Sequence, residues 1–262
     1  MHLGFYNGRN FGDILSRRIT EFVLGERVVE GHYAGADLTA IGSILGVLEK
    51  WRNPHRPYVW GSGFIEGGGR WQGREVQPVA VRGALTRERM VHMAEGPLVM
   101  GDPGLLVKRV YPALMNTEKR YDVTVIPHMR DKWSDQVRDL RRRPPHVNIV
   151  DAQAGPELVL EQIAASRLVL SSSLHGLVCA DALGVPNQWT PITEAVEGSG
   201  YKFRDYYSAF GAEAVPVGLE RALTMTDELT ADWRPFEQVD AICDDLIRVF
   251  PRDQLLSRYR RT

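Results

Sequence analysis

The chain alternates short apolar runs, nearly all of them uncharged, with amphipathic stretches, and most runs end in glycine, serine or another turn former. The apolar runs lie at residues 2–6, 58–60, 78–81, 98–100, 122–126, 147–150, 168–170 and 186–189. Stretches that predict helices include 13–24, the residues from 86 onward, 155–165 and 174–183. Uncharged strands that alternate with helices indicate parallel sheets covered by helices on both faces. The sequence therefore predicts an α/β fold.

The alternation pauses near residue 115, which divides the chain into two units. We predict an N-terminal domain over 1–115 and a C-terminal domain over 116–262, with a last helix that can return to the N-terminal domain. Both lengths suit small domains of this class.

Composition excludes several classes of protein. The 32 Lys and Arg residues balance 33 Asp and Glu residues, so the formal net charge is -1. That balance argues against a protein that binds nucleic acid by neutralising many phosphates. The two cysteines are far apart in the sequence, which argues against a disulfide framework or a zinc cluster. The apolar runs fall short of the roughly 18–20 residues that a membrane span needs, and no leader pattern begins the chain, so we expect a cytoplasmic protein.

Polar residues follow several of the predicted strands. In open α/β sheets, ligands bind beyond the carboxyl ends of the strands. The residues at these ends are Asn10, Gly12, Arg82, Asp102, His128 and His175. The sequence therefore predicts a ligand site where these strand ends meet.

The segment Ser171-Ser172-Ser173-Leu174-His175 joins a predicted strand to a predicted helix. Free N–H groups and the dipole at a helix start form an anion site, and a histidine in the first turn would face that anion. The alternative is a serine that caps the helix beside a structural histidine.

Other candidates also carry two interpretations. Asp13 can contact a ligand or cap its helix, and Arg82 can clamp a carboxylate or phosphate or pair with a neighbouring acid on the surface. His128 can move a proton or serve the structure. The cations and aromatic rings of 201–207 suit an anionic small molecule or a sugar ring, or form a capped helix with buried rings.

Taken together, these segments resemble the polysaccharide pyruvyl transferase family, and most closely its short bacterial, xanthan-type members. The matching segments are Asn10-Phe11-Gly12-Asp13-Ile14-Leu15-Ser16, Val59-Trp60-Gly61-Ser62-Gly63, Ala80-Val81-Arg82-Gly83-Ala84-Leu85-Thr86-Arg87, Gly101-Asp102-Pro103-Gly104-Leu105-Leu106, Ile126-Pro127-His128, Ser171-Ser172-Ser173-Leu174-His175-Gly176-Leu177 and Tyr201-Lys202-Phe203-Arg204-Asp205-Tyr206-Tyr207. Each segment is short, but their order along the chain is specific.

The resemblance implies two Rossmann-like domains that face a cleft, as in GT-B glycosyltransferases. It implies phosphoenolpyruvate as the donor, bound by the C-terminal domain, and a sugar hydroxyl as the acceptor, bound by the N-terminal domain. The reaction would form a cyclic pyruvate ketal on a polysaccharide or lipid-linked oligosaccharide and release phosphate. No cofactor or metal is implied. Apart from the resemblance, an arginine cluster can form a solvated face or touch an anionic membrane surface, which would be a peripheral contact at the inner face of the plasma membrane. Its members are Arg138, Arg141, Arg142, Arg143, Arg258, Arg260 and Arg261.

The resemblance also suggests roles for individual residues. The residues expected to bind phosphoenolpyruvate are Arg82, Ser172, Ser173, Leu174, His175, Lys202 and Arg204. The residues expected to contact the acceptor sugar are Asn10, Gly12, Asp13, Ser62 and Tyr206. Many family members have an arginine at the position of Ser173, so we expect Lys202 or Arg204 to balance the donor charge instead. His175 is the predicted general acid, and Asp13 is predicted to orient or deprotonate the acceptor, with His128 as the alternative.

Two other functions remain open at this point. One is a glycosyltransferase of the same fold class that uses a sugar nucleotide, because a fold does not determine a function. The other is a non-catalytic glycan-binding member of an envelope assembly complex.

Overall fold

The first parallel sheet of the molecule has six strands. The computed structural model describes residues 1–4, 10–50, 55–73, 76–142 and 147–259. The strands of this sheet are β1 (His2–Gly4), β2 (Val29–Gly31), β3 (Leu38–Thr39), β4 (Tyr58–Trp60), β5 (Gln77–Val81) and β6 (Val99–Met100). Their order across the sheet is β2-β1-β3-β4-β5-β6, and every neighbouring pair is parallel.

The second parallel sheet has four strands. They are β7 (Tyr121–Ile126), β8 (Val147–Ile149), β9 (Ser166–Ser171) and β10 (Asn187–Trp189). The order is β10-β9-β7-β8, again with parallel pairs throughout. Two parallel sheets with connecting helices confirm the predicted α/β, Rossmann-like class.

The helices connect and cover these strands. They are α1 (Phe11–Leu24), α2 (Leu45–Leu48), α3 (Ala84–Met90), α4 (Val107–Val110), α5 (Asp135–Leu140), α6 (Pro156–Ala164), α7 (Leu174–Ala182), α8 (Tyr201–Ser208), α9 (Leu219–Thr224), α10 (Thr226–Asp232), α11 (Val239–Val249) and α12 (Arg252–Tyr259). Short 3₁₀ turns lie at Tyr33–Gly35, Val91–Met93, Pro103–Leu106 and Pro112–Asn116. No helix in the described ranges is long and apolar enough to cross a membrane.

Helix α1 shows how local sequence sets an element. The Asn10 side chain accepts a hydrogen bond from the Gly12 N–H and caps the start, and Gly25 ends the helix with a φ of 77°. Phe11, Leu15 and Ile19 are spaced four residues apart and are all fully buried. This spacing places one apolar face against the core.

Helix α11 packs against the strands of the first sheet. Its buried side chains follow helical spacing, and the Trp60 indole donates to the backbone oxygen of Leu246 at 2.8 Å. A Cβ at Gly101 would lie 2.4 Å from the Ile242 side chain, so a larger residue at position 101 would push this helix away. The end of the chain therefore contacts the N-terminal half, while the boundary near residue 115 stays a prediction.

Most predicted strands and helices are confirmed within one or two residues at each end. Residues 5 and 6 of the first predicted strand, and most of the loop that follows it, lie outside the described residues. Strands β2 and β3 were not predicted, because they are only three and two residues long and β2 contains Glu30 and Gly31.

Candidate functional site

A cavity of about 230 Å³ lies between the two sheets, at the carboxyl ends of their strands. The residues that line it from the first half are Asn10, Asp13, Gly42, Ser43, Ile44, Val47 and Ile65. Those from the second half are His128, Met129, Arg130, Ser173, Leu174, His175, Glu197 and Lys202. Seven of the residues predicted from sequence therefore meet in one cavity: Asn10, Asp13, His128, Ser173, Leu174, His175 and Lys202.

Asp13 lies in the first turns of α1 and is only 5% exposed. Burial raises the pKa of its carboxyl to about 7, and the positive charge of Lys202 opposes this rise. A carboxyl with a pKa near neutrality can both give and take a proton at physiological pH. Asn10, and not Asp13, caps the helix, so the capping interpretation of Asp13 is wrong.

The three consecutive serines before α7 differ in role. The Ser171 hydroxyl donates to the backbone oxygen of Ile126 at 3.0 Å and accepts from the Ser173 N–H. The Ser172 hydroxyl donates to Asp131 at 2.6 Å and accepts from the His128 N–H at 2.8 Å. These bonds hold the strand ends together, and they occupy the Ser172 hydroxyl that was predicted to bind the donor.

Ser173 is the serine with a free hydroxyl. Its Oγ is buried, has no hydrogen-bond partner among the described residues and makes no capping bond to α7. The residue precedes the helix start and lines the cavity. A helix N-terminus beside an unused hydroxyl is a suitable place for an anion.

His175 lies between the two halves of the molecule. Its ring is 6.2 Å from the Phe11 ring, and a Cβ at Gly12 would lie 2.0 Å from its Nδ1, so only glycine leaves room for the imidazole. Its Nε2 is buried and has no partner among the described residues.

Burial lowers the pKa of His175 to about 3, and the positive charges of Lys202 and Arg82 and the neighbouring His128 act in the same direction. The imidazole is therefore neutral at physiological pH in the free protein. This state differs from the protonated imidazole that the predicted general acid requires, so His175 can act as the acid only after it gains a proton.

His128 and Lys202 complete the polar part of the cavity. Burial lowers the pKa of His128 to about 3, with Lys202 and Arg130 adding to the effect, so this ring is also neutral. Lys202 is 6% exposed, and burial lowers its pKa to about 8. Within the described ranges no carboxylate forms a salt bridge with Lys202, so its charge is available to a ligand.

Arg82 lies behind the cavity wall and is fully buried. Its Nε donates to Asp205 at 2.9 Å, its Nη1 to the Ser43 hydroxyl at 2.6 Å and its Nη2 to the backbone oxygen of Phe64 at 2.5 Å. The guanidinium is therefore occupied by protein groups, which corrects the expectation of a direct clamp on the anion. Its contact with Ser43, which lines the cavity, gives it an indirect position in the site.

The Arg82–Asp205 pair joins β5 to α8, the helix that presents Lys202. Asp205 also accepts hydrogen bonds from the Thr86 N–H and hydroxyl, at 2.8 and 2.7 Å. A Cβ at Gly83 would lie 1.6 Å from the Asp205 backbone oxygen, which shows how closely the two elements approach. Arg82 does pair with an acid, but in the interior and not on the surface.

Three other predicted contacts lie outside this cavity. Ser62 is buried and donates to the backbone oxygen of Ala40, and the Tyr206 hydroxyl donates to Asp181 at 2.8 Å in the core. The exposed Arg204 donates to the Ser199 backbone oxygen at 2.8 Å. These three side chains bond to other protein groups and do not line the cavity. Their predicted contacts with a ligand therefore have no support from the structure.

The exposed arginines at the end of α5 are partly paired. Arg138 bonds to Asp135, and Arg142 lies 3.5 Å from Asp139. Arg143, Arg260 and Arg261 lie outside the described residues. Peripheral membrane contact through these side chains stays a prediction.

Sequence reasoning missed Ser43, Ile65, Arg130 and Glu197. Ser43 follows the two-residue strand β3, whose shortness concealed the loop behind it. Arg130 stands two residues after the predicted His128, so the strand-end rule could have found it. Glu197 lies in the connection before α8, where no pattern distinguishes it from any exposed acid.

Part of the cavity lies in a segment of the chain that matches a known protein family. Residues 37–187 match the model of the family described as polysaccharide pyruvyl transferase. The chain belongs to the polysaccharide pyruvyl transferase family. The predicted resemblance is therefore confirmed, and the matched range of this family member includes His128, Ser173 and His175 but neither Asp13 nor Lys202.

Two curated proteins are similar to this pyruvyl transferase family member. The succinoglycan biosynthesis protein ExoV of Rhizobium meliloti (strain 1021) is 27% identical over 213 residues, which cover 79% of this chain and 63% of ExoV. The uncharacterized protein L143 of Acanthamoeba polyphaga mimivirus is 30% identical over 118 residues, which cover 44% of this chain and 41% of L143. The chain thus spans less than two thirds of the length of either relative.

Proposed function

We propose that this protein transfers the pyruvyl group of phosphoenolpyruvate to hydroxyl groups of a polysaccharide or lipid-linked oligosaccharide. The observation that carries the proposal is the cavity at the start of α7, where Ser173, His175 and Lys202 offer unused polar groups in a member of this family. The similarity to a succinoglycan biosynthesis protein supports a glycan acceptor. The scheme uses phosphoenolpyruvate as a co-substrate and no cofactor.

The size of the cavity supports a small donor. Its volume of about 230 Å³ lies below the roughly 300–1,000 Å³ of most drug-sized ligand sites. Phosphoenolpyruvate carries a carboxylate and a phosphate on three carbons, which suits a small polar space. A sugar nucleotide is larger and would extend beyond this cavity.

We assign donor binding to the N-terminus of α7, the Ser173 hydroxyl and the Lys202 ammonium. Backbone N–H groups and the helix dipole favour a phosphate or carboxylate at this position. Lys202 adds a charge in a site with little access to water, where an electrostatic attraction is stronger than in solvent. Arg82 keeps α8, and with it Lys202, beside the cavity.

The proposed reaction has two stages. In the first, C3 of the enol receives a proton while a sugar oxygen forms a bond to C2, and that hydroxyl gives up its proton. In the second, another hydroxyl of the same sugar forms a bond to C2 and gives up its proton, while the C2–O bond to phosphate breaks and phosphate leaves with the electron pair and takes up a proton. The product is a cyclic ketal that bears a methyl group and a carboxylate.

Asp13 and His175 divide the proton transfers in this scheme. Asp13, with a pKa of about 7, can take the proton of an acceptor hydroxyl. His175 is neutral before the donor binds, and an adjacent anion raises the pKa of an imidazole. When the donor binds, His175 therefore takes up a proton, and it then passes this proton to C3 or to the departing phosphate.

The product identifies the reaction. Full-length protein with phosphoenolpyruvate and a glycan acceptor should release phosphate and give a methyl singlet of a ketal in the proton NMR spectrum. Vinyl protons in the product would show a single enolpyruvyl bond to sugar and would refute ketal formation. Thermal protection by a sugar nucleotide, but not by phosphoenolpyruvate, would favour a glycosyltransferase, and acceptor binding without phosphate release would favour a non-catalytic role.

A further inference from the structure

The charges that line the cavity nearly cancel in the free protein. Lys202 and Arg130 are positive, Glu197 is negative and Asp13 is partly ionised near neutral pH. The two histidines are neutral. A donor with a phosphate of about -1.5 to -2 charges and a carboxylate therefore needs more positive charge than Lys202 supplies.

Arg130 can supply that charge, but Glu197 now holds it. The Arg130 Nη2 lies 2.5 Å from the Glu197 Oε1, and the two side chains are 49% and 53% exposed. Arg130 also donates to the Ala195 backbone oxygen at a weak 3.4 Å. Both members of the pair line the same cavity as Ser173 and Lys202.

The ion pair is easy to exchange. Exposed pairs of this kind change an equilibrium by about fivefold at most. A guanidinium forms stronger, two-pronged hydrogen bonds with a phosphate or carboxylate in a less hydrated place. A donor anion inside the cavity can therefore compete with Glu197 for Arg130.

The position of Arg130 on the backbone suits this exchange. Its N–H donates to His128 Nδ1 at 3.3 Å, and the Lys132 N–H donates to the His128 backbone oxygen at 3.1 Å. The backbone of this turn is therefore held at the end of β7 while the side chain reaches toward solvent. Movement of the side chain alone can bring the guanidinium to the anion.

We infer that Arg130 is a further donor-binding residue, and that Glu197 holds it at the cavity wall until the anionic donor displaces the glutamate. This inference rests on the proposed function for the identity of the donor. It adds a preference: an anion with two or more negative charges gains from both Lys202 and Arg130, whereas a singly charged anion gains from only one of them.

Isothermal titration of the full chain with phosphoenolpyruvate tests the inference. Arg130→Gln should raise the dissociation constant at least about tenfold. Glu197→Gln should lower it about twofold to fivefold, because the competitor is gone. The double variant should match Arg130→Gln. Arg142→Gln is the control, since Arg142 is an exposed arginine near an aspartate outside the cavity, and it should bind like the parent protein.

Three results would overturn the inference. The first is an Arg130→Gln variant with the same dissociation constant as the parent protein. The second is a Glu197→Gln variant that binds more weakly than the parent. The third is a double variant that binds more tightly than Arg130→Gln alone. Because both side chains are half exposed, the variants should fold, which thermal melting curves check.

Inorganic phosphate alone separates this inference from the proposed function. One outcome is that no pyruvylated product forms, while Arg130→Gln still weakens the binding of phosphate and Glu197→Gln still strengthens it. In that case the anion exchange stands and the transferase proposal fails. If product forms and the variants bind both anions as the parent does, the transferase proposal stands and the exchange fails.

Discussion

Replacement of Asp13 by asparagine should stabilise the protein while it removes activity. Burial raises the pKa of Asp13 from 3.8 to about 7 in the folded state. Above pH 3.8 the Asp13 carboxyl ionises in the unfolded chain but stays protonated in the folded chain until the pH approaches 7. The free energy of unfolding therefore falls as the pH rises through this interval. Asparagine is neutral at every pH and has nearly the same shape, so it removes this penalty.

The size of the effect follows from the pKa difference. One pKa unit corresponds to about 1.4 kcal/mol, so the carboxylate destabilises the folded state by about 2 kcal/mol at pH 5 and about 4 kcal/mol at pH 8. The stability advantage of Asp13→Asn over the parent should therefore grow by about 2–3 kcal/mol across this interval. Asp102 and Asp181 also have raised pKa values, but they are present in both proteins and cancel in the difference.

Urea unfolding at pH 5 and pH 8, followed by tryptophan fluorescence, measures this difference. Asp151→Asn is the control of opposite sign. Burial tends to raise the pKa of Asp151, but the Lys132 ammonium at 2.5 Å outweighs burial and holds this pKa below its ordinary value. The Asp151 carboxylate therefore stabilises the folded state at high pH. A pH-independent difference for Asp13→Asn, or a loss of stability at pH 8, would refute the reasoning. Turnover should fall about 10²–10⁴-fold if Asp13 transfers a proton.

Three further substitutions test other parts of the site. His175→Ala should reduce turnover about 10²–10⁴-fold, measured as phosphate release. Gly12→Ala should displace the imidazole, because the new Cβ would lie 2.0 Å from His175 Nδ1, so turnover should fall although alanine favours the helix. Arg82→Met should lower the unfolding free energy by about 3–5 kcal/mol, since it leaves Asp205 buried without its partner.

Each of these has its own contrary result, and Gly12→Ala also has a control. Parental turnover in His175→Ala would remove that residue from the chemistry. Gly46→Ala is the control for Gly12→Ala, since position 46 is helical and no atom lies within 4 Å of the new Cβ; equal effects of the two would contradict a specific clash. A normally stable Arg82→Met with only weaker donor binding would restore the direct clamp that the sequence suggested.

The positions of most strands could be predicted because parallel strands are buried on both faces. Such strands read as uncharged apolar runs, and β4 and the Leu168–Leu170 part of β9 are good examples. The same reading missed β3, whose two residues are too few for a pattern. The loop behind β3 was missed with it, and so was Ser43.

The role of Arg82 could not be read from its neighbours in the chain. Its partner Asp205 lies 123 residues away, and a buried guanidinium and an exposed one have the same local sequence. Arg130 and Glu197 meet for a similar reason, since the loops after β7 and β10 approach each other only in the folded sheet. Contacts of this kind depend on topology and not on local pattern.

The sequence by itself determined the α/β class, the order of most elements and the likeness to a family. Apolar runs, helix-capping residues and short ordered motifs depend only on residues that are close together in the chain, so they can be recognised from the sequence. Only the tertiary structure decided which groups face the cavity, which are occupied by protein partners and where protons reside. The same histidine is an acid or a neutral base according to its burial and the charges around it, and both arise when distant segments pack together.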